Sequence, residues 1–291
     1  MSVTGRITVL DSLPESLCGE LAALSQECIV GYSDDRPVSA ALVRSRLTNA
    51  LTAAPPVLAI ARTGRELLGW CAVRRPEPGE ARARLWGPVV APSARGAGLG
   101  GQLLRSVVEA ARWPLVTTDV PDDRHGAGEF FTRSGWEAAG RVTVLHGVPA
   151  ADLPGTGSVV SAEGVGGLGA YVAAAARRYA GLPAPFAEAT LRRWHQDARF
   201  RPGNLLLDPA SGSLLLALAQ RNAVGSELLL AEVWAGGAQV RRRLISAAHA
   251  AAARQQLAVV RAVTRLDPAD FVACGMRITG RCRTFVLPGE R

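Results

Sequence analysis

The stretch of this sequence best suited to chemistry is a strand that runs into a glycine-rich turn and then a helix, over residues 89–104. Glycines stand at positions 96, 98, 100 and 101, and Arg95 precedes them. Glycine leaves no side chain between a ligand and the backbone. Successive N–H groups at the helix N-terminus can therefore donate to phosphate oxygens, helped by the helix dipole and the Arg95 cation. We expect a pyrophosphate-bearing ligand at this turn.

The turn differs from the two common glycine-rich nucleotide motifs. It lacks the Gly-Lys-Ser/Thr ending of a P-loop, and the sequence contains no lysine at all. The preceding strand follows a meander, whereas the dinucleotide fingerprint opens a βαβ unit with an acidic residue downstream. Coenzyme A remains as the pyrophosphate ligand.

The residues around the turn resemble the signature of the GNAT superfamily of acyl-CoA-dependent N-acyltransferases. That signature, Arg/Gln-x-x-Gly-x-Gly/Ala after a strand ending V-x-P, is matched by residues 95–100 after Val90-Ala91-Pro92. Downstream, residues 130–136 (FFTRSGW) are similar to the family's helix-ending F-Y-x-x-x-G-F. The two motifs occur in the family's order and cover most of residues 1–148. The resemblance implies transfer of an acetyl group from acetyl-CoA to an amine by direct attack.

The resemblance also implies how the donor binds. The strands at 84–90 and 115–118 would splay apart and admit the pantetheine arm, which would pair with backbone groups of Val89 and Val90 like an added strand. A backbone N–H near Val89 would polarise the thioester carbonyl. No metal is expected. The positions expected to contact acetyl-CoA are Val89, Val90, Arg95, Gly96, Ala97, Gly98, Leu99, Gly100, Gly101 and Phe131.

The groups that would move protons depart from the family pattern. Phe131 stands where the family has a thiolate-protonating Tyr, Arg124 stands where Asn is frequent, and the splayed strand lacks the common Glu. A general base is needed because an alkylamine is mostly protonated at neutral pH. Asp119, at the end of the fifth strand, is the first candidate. The alternatives are Asp34, Asp35, His125 and its neighbours Asp122 and Asp123, each of which also suits a solvated loop.

The acceptor is less well defined than the donor. Tyr32 and Trp86 are expected to line its pocket, and with Asp34 and Asp35 they would suit a cationic amine; a surface turn and a core aromatic are the other interpretation. We expect a small-molecule amine acceptor. A protein N-terminus, a longer acyl-CoA and a non-catalytic coenzyme A-binding or interaction protein remain open.

The elements that must position these residues follow from hydrophobic periodicity. In the first half the spacing predicts helices at 14–30, 38–52, 98–112 and 126–134, and strands at 6–10, 57–62, 67–74, 84–90, 115–118 and 140–147. In the second half it predicts the same order, with helices near 167–180, 186–197 and 238–255. The glycine-rich and proline-rich stretch near 149–157 is typical of a linker.

An internal repeat supports two related domains. Phe131, Gly135, Gly140 and Arg141 recur 140 positions later as Phe271, Gly275, Gly280 and Arg281. We therefore predict an α/β protein of the α+β type: two tandem GNAT-like domains, each a mixed, mostly antiparallel twisted sheet flanked by helices. Residues 1–150 would form the catalytic domain and 158–291 a degenerate one. The same offset replaces Arg95, Gly98 and Gly100 by alanine, alanine and valine, so no coenzyme A is expected there.

Composition bounds the setting of the protein. The net charge of +8 comes from arginine alone and falls mainly on the second half. Without a nucleic-acid motif, a nucleic-acid partner is not favoured, although salt-dependent DNA binding through the basic second half remains an alternative. No long apolar run or signal peptide is evident, so no membrane association and a cytoplasmic location are expected. Five scattered cysteines suggest buried thiols. Conspicuous polar residues of the second half, His195, His249 and the arginines at 241–243, are interpreted as surface or helix-face residues. A homodimer is left open.

Overall fold

The structure is a computed structural model of the 291-residue chain, and it describes residues 5–10, 12–29, 39–48, 57–74, 82–153, 156–163, 165–197, 199–222 and 225–287. Tyr32, Asp34 and Asp35 lie outside the described residues. None of the helices within these ranges is long and apolar enough to cross a membrane.

The first half of the chain folds close to its predicted elements. In chain order these are β1 (Arg6–Leu10), α1 (Leu17–Ile29), α2 (Ala40–Thr48), β2 (Val57–Thr63), β3 (Glu66–Arg74), β4 (Ala83–Val90), α3 (Leu99–Ala111), β5 (Val116–Pro121), α4 (Ala127–Arg133) and β6 (Glu137–Gly147).

The second half repeats that order, with one addition. Its elements are β7 (Val160–Ser161), α5 (Leu168–Ala175), α6 (Ala184–Gln196), β8 (Leu205–Asp208), β9 (Ser213–Asn222), β10 (Gly225–Trp234), α7 (Ala238–Arg254), β11 (Val259–Thr264), α8 (Pro268–Val272) and β12 (Arg277–Leu287). Helix α5 continues into a π-helical turn at Ala176–Ala180.

The chain divides into two compact units, and the division differs from the predicted one. Unit 1 comprises residues 1–141 and 282–291, and unit 2 comprises residues 142–281. The chain therefore passes from unit 1 to unit 2 within β6 and returns within β12. The predicted linker near 149–157 lies inside unit 2.

Unit 1 is built on the sheet order β1-β2-β3-β4-β5-β12. Neighbouring strands are antiparallel except for the parallel pair β4 and β5. Apolar residues of α3 and α4 pack on one face of the sheet, and those of α1 and α2 pack on the other. The last strand comes from the far end of the sequence, and its Phe285 is buried against the α4 face.

Unit 2 has the order β6-β11-β10-β9-β8-β7, with β10 and β11 as its parallel pair. Helix α7 and Phe271 of α8 cover one face, while α5 and α6 cover the other. Strand β6 was predicted to complete the first domain, and this prediction is wrong for its last residues. Val144 and Leu145 pair with β11 of unit 2, where Leu145 is fully buried.

The sequence repeat marks equivalent backbone conformations. Gly135 and Gly275 adopt φ of 82° and 85° just after the helices that contain Phe131 and Phe271. In both places the glycine N–H donates to the carbonyl oxygen three residues back, from Gly135 to Thr132 and from Gly275 to Val272. Only glycine adopts this left-handed turn without strain. The repeat ends at Arg141 and Arg281, which are also the last residues before the two crossings between units.

The assignment of His249 to the surface of the second half is wrong, whereas the arginine run stays partly exposed, with half of the Arg242 side chain accessible. His249 lies on α7 with 1% of its surface exposed, and its Nδ1 is 3.0 Å from the Val148 carbonyl oxygen. The arginines at 241–243 are paired with carboxylates that the fold buries. Arg241 and Arg242 contact Asp270, and Arg243 contacts Asp208. A buried carboxylate requires such partners, which explains an arginine run on an otherwise apolar helix.

Candidate active site

The parallel strands β4 and β5 separate soon after they begin. Their ladder contains two pairs, Ala83 with Val116 and Arg84 with Thr117, and beyond Arg84 no further pair joins these two described strands. On its other side β4 stays paired with β3 as far as Val90. The result is a V-shaped opening in the sheet, with its vertex at Arg84. The predicted splayed pair is confirmed, and the β5 side of Val89 and Val90 is left without a strand partner.

A β-bulge bends β4 above the vertex. Trp70 and Ala72 of β3 face Val89 and Trp86, so two residues of β4, Gly87 and Pro88, oppose Cys71 alone. Gly87 has φ of 102°, and a Cβ there would lie 3.1 Å from the Trp70 carbonyl oxygen. A bulge reverses the alternation of side chains along a strand. Val89 accordingly packs on the α1 face, together with Trp86.

The glycine turn lies at the open end of this V. Gly96 and Gly98 adopt φ of 81° and 78°, which glycine tolerates and other residues rarely do. The first backbone hydrogen bond of α3 runs from the Gln102 N–H to the Gly98 carbonyl oxygen. The N–H groups of the residues before Gln102 therefore have no acceptor within the helix. Such N–H groups at a helix N-terminus can donate to an anion.

Backbone conformation does not explain the glycines at positions 100 and 101. Gly100 and Gly101 are inside the first turn of α3, where glycine costs about 1 kcal/mol relative to alanine. A Cβ at Gly101 would meet nothing within 4 Å, and one at Gly100 would make ordinary contacts with Phe130 and Val90. The packing would thus allow a side chain at either position. The free surface above them fits the close approach of a coenzyme A pyrophosphate.

Side chains bridge the open ends of the two strands. Arg95 donates from Nε to the Val90 carbonyl oxygen at 3.1 Å, and the Cys28 thiol donates to the same oxygen at 3.5 Å. From the loop after β5, Arg124 donates to the Cys28 carbonyl oxygen at 2.8 Å. Burial raises the pKa of the Cys28 thiol, against the opposing hydrogen bond and charge of Arg95, so the thiol remains a donor.

Asp119, the first candidate base, lies at the vertex. Arg84 donates from Nη1 to Asp119 Oδ2 at 3.0 Å, and Thr284 donates from its hydroxyl to Asp119 Oδ1 at 2.6 Å. Thr284 is directly opposite Asp119 in the β5–β12 ladder and is 1% exposed. Residues directly opposite in an antiparallel ladder share a face. Because Phe285 points to the α4 face, Thr284 and Asp119 point to the α1 face, as does Trp86.

The other candidate bases lie elsewhere. Asp122 and His125 line a cavity of about 430 Å³ along the outer side of α4, together with Arg283 and Phe285. Phe285 packs on the α4 face of the sheet, so this cavity and Asp119 are on opposite faces. The structure therefore does not bring Asp119 and His125 together.

Two aromatic residues singled out in the sequence have clear packing partners. Phe131 is 4% exposed, with ring centroids 5.3 Å from Trp136 and 5.6 Å from Phe285. Its neighbour Phe130 is the residue beside the glycine turn, 3.5 Å from the Cβ position of Gly100. Trp86 makes an edge contact with Trp70, with ring centroids 4.9 Å apart. A role of Phe131 at coenzyme A and of Trp86 at the acceptor remains a prediction.

The equivalent region of unit 2 is closed. Its parallel ladder pairs Glu227–Leu230 with Val259–Ala262. With the 140-residue offset, Glu227–Leu230 corresponds to Gly87–Val90, the part of β4 that is open toward β5. At the equivalent turn, a Cβ on Gly236 would lie 2.9 Å from the Tyr179 ring. Backbone hydrogen bonds and an aromatic ring thus occupy the space that is free in unit 1.

Sequence analysis did not identify Arg84, Thr284 or Cys28 as site residues, and it identified Phe130 only as part of the motif at 130–136. Thr284 is 165 positions from its partner Asp119, so no local pattern connects them. Arg84 was accessible in principle, since it is the one charged residue in the otherwise uncharged strand Arg84–Val90. No three His, Cys, Asp or Glu side chains are grouped as metal ligands within the described ranges.

Comparison with known proteins agrees with this geometry. The model of the acetyltransferase (GNAT) family matches residues 20–136. No curated protein matches the sequence. Proteins of the GNAT family transfer acyl groups from acetyl-CoA.

Among solved structures, a GCN5-related N-acetyltransferase from Sphaerobacter thermophilus has a TM-score of 0.73 at 18% identity, covering 98% of this chain and 97% of that one. A tandem GNAT protein from the clavulanic acid biosynthesis pathway has a TM-score of 0.68 at 16% identity, covering 97% of each chain. A glucosamine N-acetyltransferase region of a fungal multi-domain β-N-acetylglucosaminidase has a TM-score of 0.74 at 15% identity, covering 98% of this chain and 38% of that one. Residues 20–136 are therefore similar to the acetyltransferase (GNAT) family, and the chain shares its fold with GNAT proteins, a tandem GNAT protein among them.

Proposed function

We propose that unit 1 binds acetyl-CoA and transfers its acetyl group to the amine of a small molecule. The observation that carries this proposal is the combination of a free glycine turn with an opening between β4 and β5 that leads from the turn to Asp119. A backbone edge without a strand partner binds an extended ligand by adding it as a strand. The pantetheine arm has amide groups suited to such pairing.

Donor binding would exchange hydrogen bonds at the mouth of the opening. Arg95 now donates to the Val90 carbonyl oxygen. A pantetheine amide N–H would take over this oxygen, and the released guanidinium would move to the pyrophosphate, where a charge-assisted hydrogen bond is stronger. The pantetheine N–H would replace Arg95 as a donor to the Val90 carbonyl oxygen, so this oxygen would keep a hydrogen-bond partner.

The chemical step needs no covalent enzyme intermediate. The neutral amine nitrogen attacks the thioester carbon, a C–N bond forms and the C–S bond breaks. One amine proton passes to the Asp119 carboxylate or to water, and the leaving thiolate takes a proton from water. Phe131 has no proton to give, so catalysis relies on positioning, which supplies several kcal/mol in well-oriented reactions.

Unit 2 would support this site without binding a second donor. Its β10–β11 ladder is paired along the stretch equivalent to the opening, and its turn has Val240 in place of Gly100. Its contribution to unit 1 is the continuation of its chain into β12, which brings Thr284 to Asp119.

Calorimetric titration of acetyl-CoA tests the donor site. We expect saturable binding of one acetyl-CoA per chain. Gly98→Asp should abolish it, because the carboxylate would lie against the pyrophosphate. Gly64→Asp is the matched control, since Gly64 is also a left-handed turn glycine, with φ of 58°, and a Cβ there meets nothing within 4 Å. If the wild type does not bind, or if both variants lose binding equally, the proposed donor site is wrong.

Release of free thiol in the presence of an amine panel tests the transfer. Binding without thiol release from any amine would favour a non-catalytic coenzyme A-binding protein, which the loss of an ionisable group at Phe131 makes the main alternative. Parallel assays with longer acyl-CoA donors and with peptides bearing a free N-terminus test the two other forms of the reaction.

A further inference from the structure

The vertex of the V carries an ion pair on the face from which an acceptor would approach. Arg84 belongs to the last pair of the β4–β5 ladder, and its guanidinium reaches Asp119 two residues further along β5. Both side chains point to the α1 face. A donor whose pyrophosphate lies at the glycine turn extends its arm along the open edge of β4 toward this vertex. The thioester would therefore be presented next to the Arg84–Asp119 pair.

The guanidinium of Arg84 has unused hydrogen-bonding capacity. Its side chain is 39% exposed, and among the residues that the structure describes its hydrogen bond runs from Nη1 to Asp119. A guanidinium has five N–H donors arranged for bidentate binding of a carboxylate. Arg74 lies directly opposite Arg84 in the β3–β4 ladder, which adds a second cation to the same face. The vertex is thus suited to a group of negative charge beside the attacking amine.

We infer that the acceptor carries a carboxylate close to its amine, as an amino acid does. This inference rests on the proposed transfer reaction and specifies its substrate class. The acceptor carboxylate would bind Arg84, while its ammonium group would lie next to Asp119. Opposite charges alternate in such an arrangement, so each added charge is attracted by its neighbour. A polycationic acceptor would instead place like charge against Arg84.

The same arrangement orients the reacting nitrogen. With the carboxylate held by Arg84, the amine is fixed between Asp119 and the thioester. One proton of the ammonium group then passes to Asp119 or to water. The neutral nitrogen forms the C–N bond as the C–S bond breaks, and the second proton that it loses passes through water to the leaving thiolate. The carboxylate is unchanged by the reaction and acts only in binding.

Three matched acceptors test the inference: an α-amino acid, its primary amide and the amine left by its decarboxylation. Glucosamine adds a carboxylate-free sugar amine. With the wild-type protein, we expect kcat/KM for the amino acid to exceed that for the amide by about tenfold or more, since a charged hydrogen bond is lost in the amide. Equal kcat/KM values for the acid and the amide would overturn the inference while leaving the transfer reaction intact.

Variants of Arg84 give the second readout, which is the ratio of kcat/KM for acid over amide. Arg84→Gln should reduce this ratio to about one, and Arg84→Lys should retain part of it, because the charge remains. Arg105→Gln, on the exposed surface of α3, is the control and should leave the ratio unchanged. A ratio that Arg84→Gln does not alter contradicts the inference. Absence of thiol release from every amine would instead reject the transfer reaction, and the inference with it.

Discussion

At the scale of single residues, the glycine turn separates two physical requirements. Gly96 and Gly98 are needed for their positive φ, whereas Gly100 and Gly101 lie in a helix that would be more stable with alanine. A residue that lowers helix stability and makes no packing demand points to a ligand. Unit 2 supplies the natural comparison, with Val240 at the position equivalent to Gly100.

Replacing Gly100 by the residue of unit 2 tests this separation. Gly100→Val should abolish acetyl-CoA binding, because a branched side chain would occupy the surface above the N–H donors. The melting temperature should change little. The variant avoids the large entropic cost of ordering a glycine on folding, and the valine side chain adds contacts with Phe130. Calorimetry and thermal unfolding measured on the same sample check both statements. A variant that binds normally would show that the pyrophosphate does not lie on Gly100.

The hydroxyl of Thr284 offers a second test at this scale. Thr284→Val keeps the shape of the side chain but removes the donor to Asp119 Oδ1, which should lower stability by about 1–3 kcal/mol. If Asp119 acts at the vertex, kcat should fall more than KM changes, and Thr284→Ser should restore activity. Thr279→Val, in the part of β12 that belongs to unit 2, is the control. A loss of stability without a loss of kcat would assign Thr284 a purely structural role.

At the scale of elements, the parallel strand pairs of the two units differ in the extent of their pairing. β4 and β5 share two ladder pairs, at Ala83 and Arg84, whereas β10 and β11 share four, along the stretch that the repeat makes equivalent to the open part of β4. Helix α7 is fixed to unit 2 by pairs between its arginines and buried carboxylates. Asp208 is fully buried, with Oδ2 2.6 Å from Arg243 Nη2.

The ion pair between Asp208 and Arg243 predicts that unit 2 loses stability in acid. Burial alone would raise the pKa of Asp208, but the hydrogen bonds and charge of Arg243, with the Ser211 N–H, hold it below its usual 3.8. A carboxyl whose pKa is lower in the folded state stabilises the fold above pH 3.8, and this stabilisation is lost as the pH falls through the folded value. Stability should therefore decline below about pH 4.

Asp208→Asn tests this limit. At pH 7 the variant should lose about 3–5 kcal/mol, because Arg243 is left without its partner. It should also show a weaker decline in acid than the wild type. Denaturant unfolding as a function of pH measures both, with the exposed Asp152→Asn as control. Equal stability of the variant and the wild type at pH 7 would contradict the assignment.

At the scale of the whole molecule, the two units exchange their last strands. The first half of the chain supplies Val142–Gly147 to unit 2, and the end of the chain supplies Cys282–Leu287 to unit 1. An antiparallel edge without its partner exposes unpaired N–H and C=O groups. Neither half of the sequence therefore contains all the strands of a unit.

Cleavage between the halves tests this exchange. A protease site inserted at residues 151–153 should yield two fragments that stay associated during gel filtration and unfold together, because each unit holds a strand from each fragment. Expressed separately, the fragments should aggregate or remain unfolded. If the cut fragments separate as two folded proteins, the strand exchange is wrong and the domains are sequential, as first expected from the sequence.

The sequence by itself determined the features that depend on nearby residues. A helix period, a glycine with positive φ or a glycine-rich turn is encoded within a few positions, so the elements, the turn at 95–100 and the tandem repeat were all predictable. The buried cysteines follow from composition in the same way, and all five are buried.

Only the tertiary structure decided what depends on partners far apart in the chain. Which strand pairs with β5, and hence that Thr284 reaches Asp119, is settled by burial of Phe285 against Phe131, a contact between residues 154 positions apart. The ion pairs of the arginines at 241–243 likewise depend on carboxylates from β8 and α8. Local patterns carry no information about such pairs, because their free energy arises only when the sheet has formed.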